Sequence, residues 1–382
     1  MNELLTALHR SQAYAVAKAS PRSFRRALQT IHLWVGLILA IPIILIGLSG
    51  SALLLQREIL RLSIPAASAT GQSQSIARIV ASAQSAEPNL RANSVELPSS
   101  PGRPALVQFQ ISNRPPRAME VYVDPVSLKV LGSSEIIRRG PIRDVLVTIH
   151  EYLMFPGHIG LPLVGWMAVA MTFMGLSGLI LWWPKKGRWL GAFLVRRGAR
   201  GLRLHLDLHH AAGIWGSLLL LILSISGIYL AFPQSVSETV RAVFPSHLEA
   251  DDPAPGGPKH AAPTDPDQAF EFATEAMPDA RVTTIQLPRA SDRPFMAQME
   301  TMGFGPSIPQ ITVAFDVKNG DISIDDPRTY TTANRILNAL YALHFSVGMG
   351  GVWTFLVFLG GLLPLLLAFT GLNIWWLKRR SR

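Results

Sequence analysis

Thr30–Leu54, TIHLWVGLILAIPIILIGLSGSALL, and Asp207–Ala231, DLHHAAGIWGSLLLLILSISGIYLA, are two versions of one segment. A histidine and a glycine stand four apart in each, His32 with Gly36 and His209 with Gly213. Eighteen residues beyond each histidine comes a glycine preceded by serine, at Gly50 and Gly227. Both segments are long, apolar and free of charge past their first residues. A backbone in hydrocarbon must satisfy its own polar groups, so such stretches read as membrane-crossing helices.

Working outward, four charge-free windows emerge: 31–55, 161–183, 211–233 and 351–377. Each covers a hydrocarbon core of roughly 30 Å at about 1.5 Å per residue. The remaining charges set an expected orientation. Residues 1–30 carry five Lys/Arg against one acid, 184–210 seven against one, and 378–382 four basic residues in five. Those segments are expected in the cytoplasm, with 56–160 and 234–350 outside. The net charge of +10 is then a topology signal, and no nucleic-acid partner is expected. Arg22, Arg25 and Arg26 with Ala67-Ser68-Ala69 imitate a signal peptide. The apolar window is longer than the usual h-region of about 7–15 residues, so the first span reads as an uncleaved anchor.

The repeat extends through the chain. MGLSGLILWWPKK closes the second span and AFTGLNIWWLKRR the fourth, with His150 and His344 upstream at 28 and 27 residues from Gly178 and Gly371. SVELPSSPGRPALVQFQ, from Ser94, aligns with TIQLPRASDRPFMAQME, from Thr284, so that Leu97-Pro98 and Arg103-Pro104 recur 190 positions later. VYVDPVSLKVLG is echoed by ITVAFDVKNGDI. Polar helices near Ile76–Ala86 and Asp267–Met277 precede alternating strand-like runs. The fold expected is integral-membrane α-helical, with four spans in a parallel duplication and two small α+β outer domains. The outer domains fall at 56–140 and 234–327, and interface helices at 141–160 and 328–350.

A parallel duplication sets equivalent side chains at equal depth across one axis. His32 should therefore face His209 near the cytoplasmic surface, and His150 should face His344 near the outer one. A lone interfacial histidine is often only hydrogen-bonded, but intramembrane ionisable groups in matched pairs at two depths point to function. Bis-imidazole ligation of two b-type haems fits, because iron accepts axial histidines from facing helices. Gly36, Gly213 and Gly348, each four residues past a histidine, would let a ring plane approach; Met154 occupies that place after His150. Arg143 and Arg335 are candidate propionate contacts, with Arg25, Arg26 and Arg203 on the inner side. Solvated surface charge accounts for these arginines equally well.

Other histidines carry weaker signals. His205 and His209 form an i,i+4 metal-pair pattern, and His210 competes with His209. His158 reads as a turn residue, while His9, His247 and His260 lie in polar stretches. Trp182-Trp183 and Trp375-Trp376 read as an interfacial aromatic belt. The absence of cysteine excludes disulfides, thiolate-held clusters and covalent haem. No strand–GxGxxG–helix unit is present, and GMGG at Gly348–Gly351 is too short. Electrons would have to come from a quinol or a separate cytoplasmic flavoprotein.

The H-x-x-x-G…SG span, the Trp-Trp-basic span ends and the V-x-V-D strand together resemble the PepSY-associated transmembrane helix family over nearly the whole chain. The resemblance implies a bacterial inner-membrane protein with periplasmic PepSY-like domains. Its siderophore-utilisation members further imply haem b and a ferric hydroxamate (ferrioxamine-like) substrate, reduced so that Fe(II) is released. The outer segment 234–350 has eight basic and fifteen acidic residues, net −7, and could steer a cationic siderophore through residues such as Asp325 and Asp326. Plain solubility explains the same charge. Two other classes stay open: a transporter of siderophore or released iron, with Pro42 and Pro364 interrupting its spans, and a non-enzymatic PepSY sensor or inhibitor module.

Overall fold

The computed structural model describes residues 21–62, 64–113, 116–137, 141–184, 189–245, 254–255, 262–288, 294–301, 311–315 and 322–381. His9, His247, His260 and Arg293 fall outside these. Four helices are long and apolar enough to cross a membrane. They are α1 (Pro21–Leu62), α4 (Gly157–Trp182), α6 (Gly201–Ala231) and α10 (Gly350–Arg380). All four overrun the charge-free windows at one end or both, because charge ends a hydrocarbon span without ending a helix. Pro42 and Pro364 lie inside helices that continue through them.

The four spans form a ring in which α1 and α6 each contact both α4 and α10. Small residues set the approach. A side chain on Gly47 or on Gly361 would strike the other residue's carbonyl, so α1 and α10 touch backbone to backbone. Hydroxyls tie neighbouring spans: Ser51 donates to Phe358 O at 2.7 Å, and Thr172 to Ser224 Oγ at 2.9 Å. Two shorter helices, α3 (Pro141–Tyr152) and α9 (Thr332–Phe345), lead into α4 and α10 and pack on α1 and α6 respectively.

The connecting chain between spans builds a sheet. Its strands are β1 (Ala92–Glu96), β2 (Ala105–Asn113), β3 (Pro116–Val123), β4 (Val130–Ile137), β5 (Ala254–Pro255), β6 (Ala280–Gln286), β7 (Met296–Thr301), β8 (Ile311–Phe315) and β9 (Ile322–Asp325). Rather than two separate outer units, the strands make one antiparallel sheet in the order β4-β3-β2-β1-β6-β7-β8-β9-β5. The seam is β1 against β6, with Val95 opposite Ile285. It is flanked by Leu97 N–H donating to Thr283 O and Leu287 N–H donating to Asn93 O, at 2.8 and 2.9 Å. Adding 190 to one bond's residue numbers, or subtracting it, gives the other bond. This is the offset read in the sequence.

Helices α2 (Ile76–Ala86) and α8 (Pro266–Ala276) cover one face of the sheet. Ile79 and Ala83 from the first, and Ala269 and Ala273 from the second, share one core with Val95, Phe109, Ile285 and Met299. Ser75 and Asp265, again 190 apart, are the N-caps. Asp267 additionally accepts the Ile76 and Ala77 N–H groups at 2.6 and 3.0 Å, binding one helix start to the other.

Candidate functional site: two imidazole pairs

Helices α1 and α6 face each other across the ring and carry His32 and His209 near their basic ends. At the opposite, sheet-connected end, His150 in the last turn of α3 meets His344 in the last turn of α9. Their ring centroids are 6.1 Å apart, with planes tilted by 53°. Along α1 the contact point of the second pair, Gly50, is eighteen residues from His32, or about 27 Å at the helical rise.

Each of the four rings rests against a glycine that follows a hydroxyl residue in a span. His32 lies on Gly178, His209 on Gly371, His344 on Gly227 and His150 on Gly50. The preceding residues Ser177, Thr370, Ser226 and Ser49 are all buried. Three of these hydroxyls contact the ring itself: Ser177 with His32 Nδ1 at 2.7 Å, Thr370 with His209 Nδ1 at 2.9 Å, and Ser226 with His344 Nδ1 at 2.9 Å. His150 Nδ1 instead meets the Ile46 carbonyl at 2.8 Å.

At His150 the partner is a carbonyl, which can only accept, so Nδ1 donates and Nε2 is left a bare acceptor. The Leu367 carbonyl, 3.1 Å from His209 Nδ1, favours the same tautomer there. A hydroxyl can donate or accept; where Ser177 donates to Met174 O and Ser226 to Ile222 O, the same assignment follows for His32 and His344. A histidine that ligates a metal through Nε2 is held in this way, its other nitrogen donating to a carbonyl or hydroxyl.

The rings test whether haem would fit. Two imidazoles bonded end-on to one metal, at about 2 Å per bond, put their ring centres roughly 6 Å apart. The His150–His344 separation is compatible with that. No group of three or more His, Cys, Asp or Glu able to hold a metal occurs among the described residues. A porphyrin brings four nitrogens of its own, so two imidazoles complete its iron. The sheet-side pair thus has the ring spacing that two imidazoles on one macrocycle iron would need.

The other expected contacts distribute differently. Gly36 and Gly213 lie one turn from their histidines and face Met174 and Leu367 across the bundle. Gly348 lies beyond the end of α9 with φ +68°, so its spacing of four does not put it on the face of His344. Met154, with φ +65°, is likewise in the turn after α3, where its side chain points outward and cannot obstruct His150. Arg143 is exposed. Arg335 is nine residues before His344, on the opposite side of α9, and donates to Arg328 O at 2.6 Å. Arg25 donates to Leu181 O, and Arg203 pairs with Asp207 at 2.7 Å. His210 is exposed while His209 faces inward, and His205 packs on Phe369 with no hydrogen-bond partner for its Nδ1 among the described residues. Asp325 accepts the Tyr330 hydroxyl and Asp326 caps and pairs with Arg328, so both carboxylates are engaged locally.

The hydroxyl–glycine pairs were visible in the sequence only as markers of the repeat. A buried Ser-Gly or Thr-Gly in every apolar window was the signal that could have linked them to the histidines.

Residues 29–378 match the PepSY-associated TM region, and the chain belongs to that family. It is a multi-pass membrane protein of the PepSY type. Among curated proteins, none matches it.

Proposed function

We propose that the chain is a di-haem b electron conduit of the bacterial inner membrane that reduces a ferric hydroxamate siderophore on the sheet side. The meeting of His150 and His344 at 6.1 Å, with a hydroxyl or carbonyl oxygen at the Nδ1 of all four histidines, is the observation that carries the reading. His32 and His209 would hold one haem, His150 and His344 the other. Haem supplies reversible one-electron carriage when bound. The chain's own part is to hold each Nε2 toward its mate, to meet each Nδ1 with Ser177, Thr370, Ser226 and Ile46 O, and to exclude water at both levels. One electron from a quinol or a cytoplasmic flavoprotein would convert the substrate's Fe(III) to Fe(II). Ferrous iron is held less firmly by hard oxygen ligands, so reduction is release. The reading places residues 1–30, 184–210 and 378–382 in the cytoplasm and the sheet in the periplasm.

A reduced-minus-oxidised spectrum of haem-replete purified protein, with a pyridine haemochrome assay, tests this. Two haem b per chain are expected, and a colourless protein would overturn the proposal. The second reading is a carrier of siderophore or iron, or a non-enzymatic PepSY module. It is supported by the family membership and four spans, which require no cofactor. Uptake of labelled siderophore into liposomes by colourless protein would favour the carrier.

A further inference from the structure

Helix α6 carries three histidines at its basic end and turns at Pro233 into α7 (Pro233–Val243) at the other. His209 belongs to an imidazole pair and His210 is exposed. His205 has neither role. It lies one turn before His209 and packs edge-on against Phe369 of α10, with ring centroids 5.8 Å apart and planes at 67°. Its Nδ1 is buried with no hydrogen-bond partner among the described residues. The ring as a whole is only half-buried, so its open side carries Nε2. A neutral imidazole has one proton to place. On Nδ1 that proton would be a buried donor with nothing to meet, a costly arrangement. On Nε2 it faces outward, ready to be accepted.

Phe369 is 57% exposed, and Leu372 and Trp376 continue its open face along α10. In a span such a face meets lipid, so His205 sits where the seam between α6 and α10 opens to the bilayer. Trp376, seven residues on and about 10 Å along the helix, lies under the Arg380 guanidinium at 3.8 Å and marks the headgroup level. The His205–Phe369 contact is on the acyl side of that level. A phosphate would lose its water there, and a neutral ring would not. Asn373, one turn past Phe369, donates to Phe369 O at 2.8 Å and keeps its carboxamide oxygen as an acceptor. The contact also adjoins the inner imidazole pair. Thr370, next to Phe369, is the partner of His209, and His205 is about 6 Å from His209 along α6.

We propose that this seam binds the headgroup of a membrane quinone. A quinone carbonyl accepts from His205 Nε2, its ring lies against Phe369, and a hydroxyl of the reduced form donates to Asn373. The ligand reaches the seam from the acyl region, where it dissolves. The inference rests on the electron-transfer reading and chooses the quinol over a cytoplasmic flavoprotein as donor. Oxidation of one hydroquinone to the quinone releases two electrons and two protons. The electrons reduce two substrate Fe(III) to Fe(II), and the protons pass to water at the basic end.

Full-length protein in phosphatidylcholine nanodiscs is photolabelled with an azidoquinone, in competition with decylubiquinone. Label should fall on the peptides that carry His205 and Phe369. His205→Leu should weaken decylubiquinone competition by about tenfold, while His205→Gln, which keeps a donor, should lose less. Phe369→Ala, at an exposed position that the fold does not need, should weaken it by several-fold. In a second arm, decylubiquinol reduces the haem-loaded protein, followed at the Soret band. His205→Leu should slow that reduction by about tenfold and leave reduction by dithionite at the wild-type rate. Label elsewhere, or competition and quinol reduction unchanged in both His205→Leu and Phe369→Ala, overturns the inference and leaves the haem reading standing. A protein that takes up no haem overturns the haem reading, and the labelling arm then decides the quinone site alone.

Discussion

The two imidazole pairs use the same parts and are anchored differently. At the basic end both histidines lie within long span helices, and hydroxyls of Ser177 and Thr370 meet their Nδ1 atoms. At the sheet end both lie in the last turn of short helices that finish in left-handed residues, Leu153 and Met154 after His150 and Ser346 after His344. One Nδ1 partner there is a hydroxyl and the other a backbone carbonyl. The packing differs as well: a Cβ on Gly50 would come within 2.7 Å of the His150 ring, against 3.5 Å for Gly178 and Gly371 on theirs. A ligand within a long helix is positioned by its neighbours across the bundle. One at a helix end depends on the turn that follows and on close contact beneath it.

Substitution of the four histidines, the haem ligands of the proposed reading, should break the comparison most completely. His150→Ala and His344→Ala should each remove one haem's worth of absorbance, the same one, and His32→Ala and His209→Ala the other. A variant that loses both haems, or neither, contradicts the pairing. The anchors come next. Ser177→Ala removes the hydroxyl at His32 Nδ1 and, on the proposed reading, should weaken the haem at the basic end by about 10–100-fold. Thr370→Val should cost less, because Leu367 O also lies 3.1 Å from His209 Nδ1. Competition with apomyoglobin measures both.

Glycine replacement sharpens the contrast. Gly50→Ala should destabilise the sheet-side site by about 1–3 kcal/mol through overpacking, whereas Gly371→Ala, meeting its ring at ordinary contact distance, should be near neutral. Thermal melts followed at the Soret band separate the two. The smallest effect lies in the sheet. Burial alone would raise the Asp124 carboxyl, but hydrogen bonds from Ser68 and from the Val126 and Ser127 N–H groups outweigh it and hold it at about 2. With an unfolded value of about 3.9, this stabilisation is full above that pH and is lost as pH falls through about 2. Asp124→Asn should flatten that acid limb, measured by near-UV circular dichroism of the full chain.

Much of this architecture was legible in the residues. Charge-free windows gave the spans, because no other backbone arrangement survives in hydrocarbon. The 190-residue offset foretold the symmetric seam at Val95 and Ile285. Histidine depth foretold that His150 meets His344, since helical rise converts sequence position into level. The glycine four residues past His32, His209 and His344 was a poorer guide. That spacing assumes the helix continues, and α9 ends at Phe345, before Gly348.

The sequence by itself therefore determined what depends on local periodicity and on distance along one helix: the spans and the two levels of histidine. Only the tertiary structure decided what depends on neighbours distant in the chain. Ser177, 145 residues from His32, meets that ring's Nδ1, and the Ile46 carbonyl, 104 residues from His150, meets the other's. A hydrogen bond between helices leaves no periodicity in either one. Nor does the joining of two outer units into one sheet, which rests on edge strands meeting in space rather than on any run of residues.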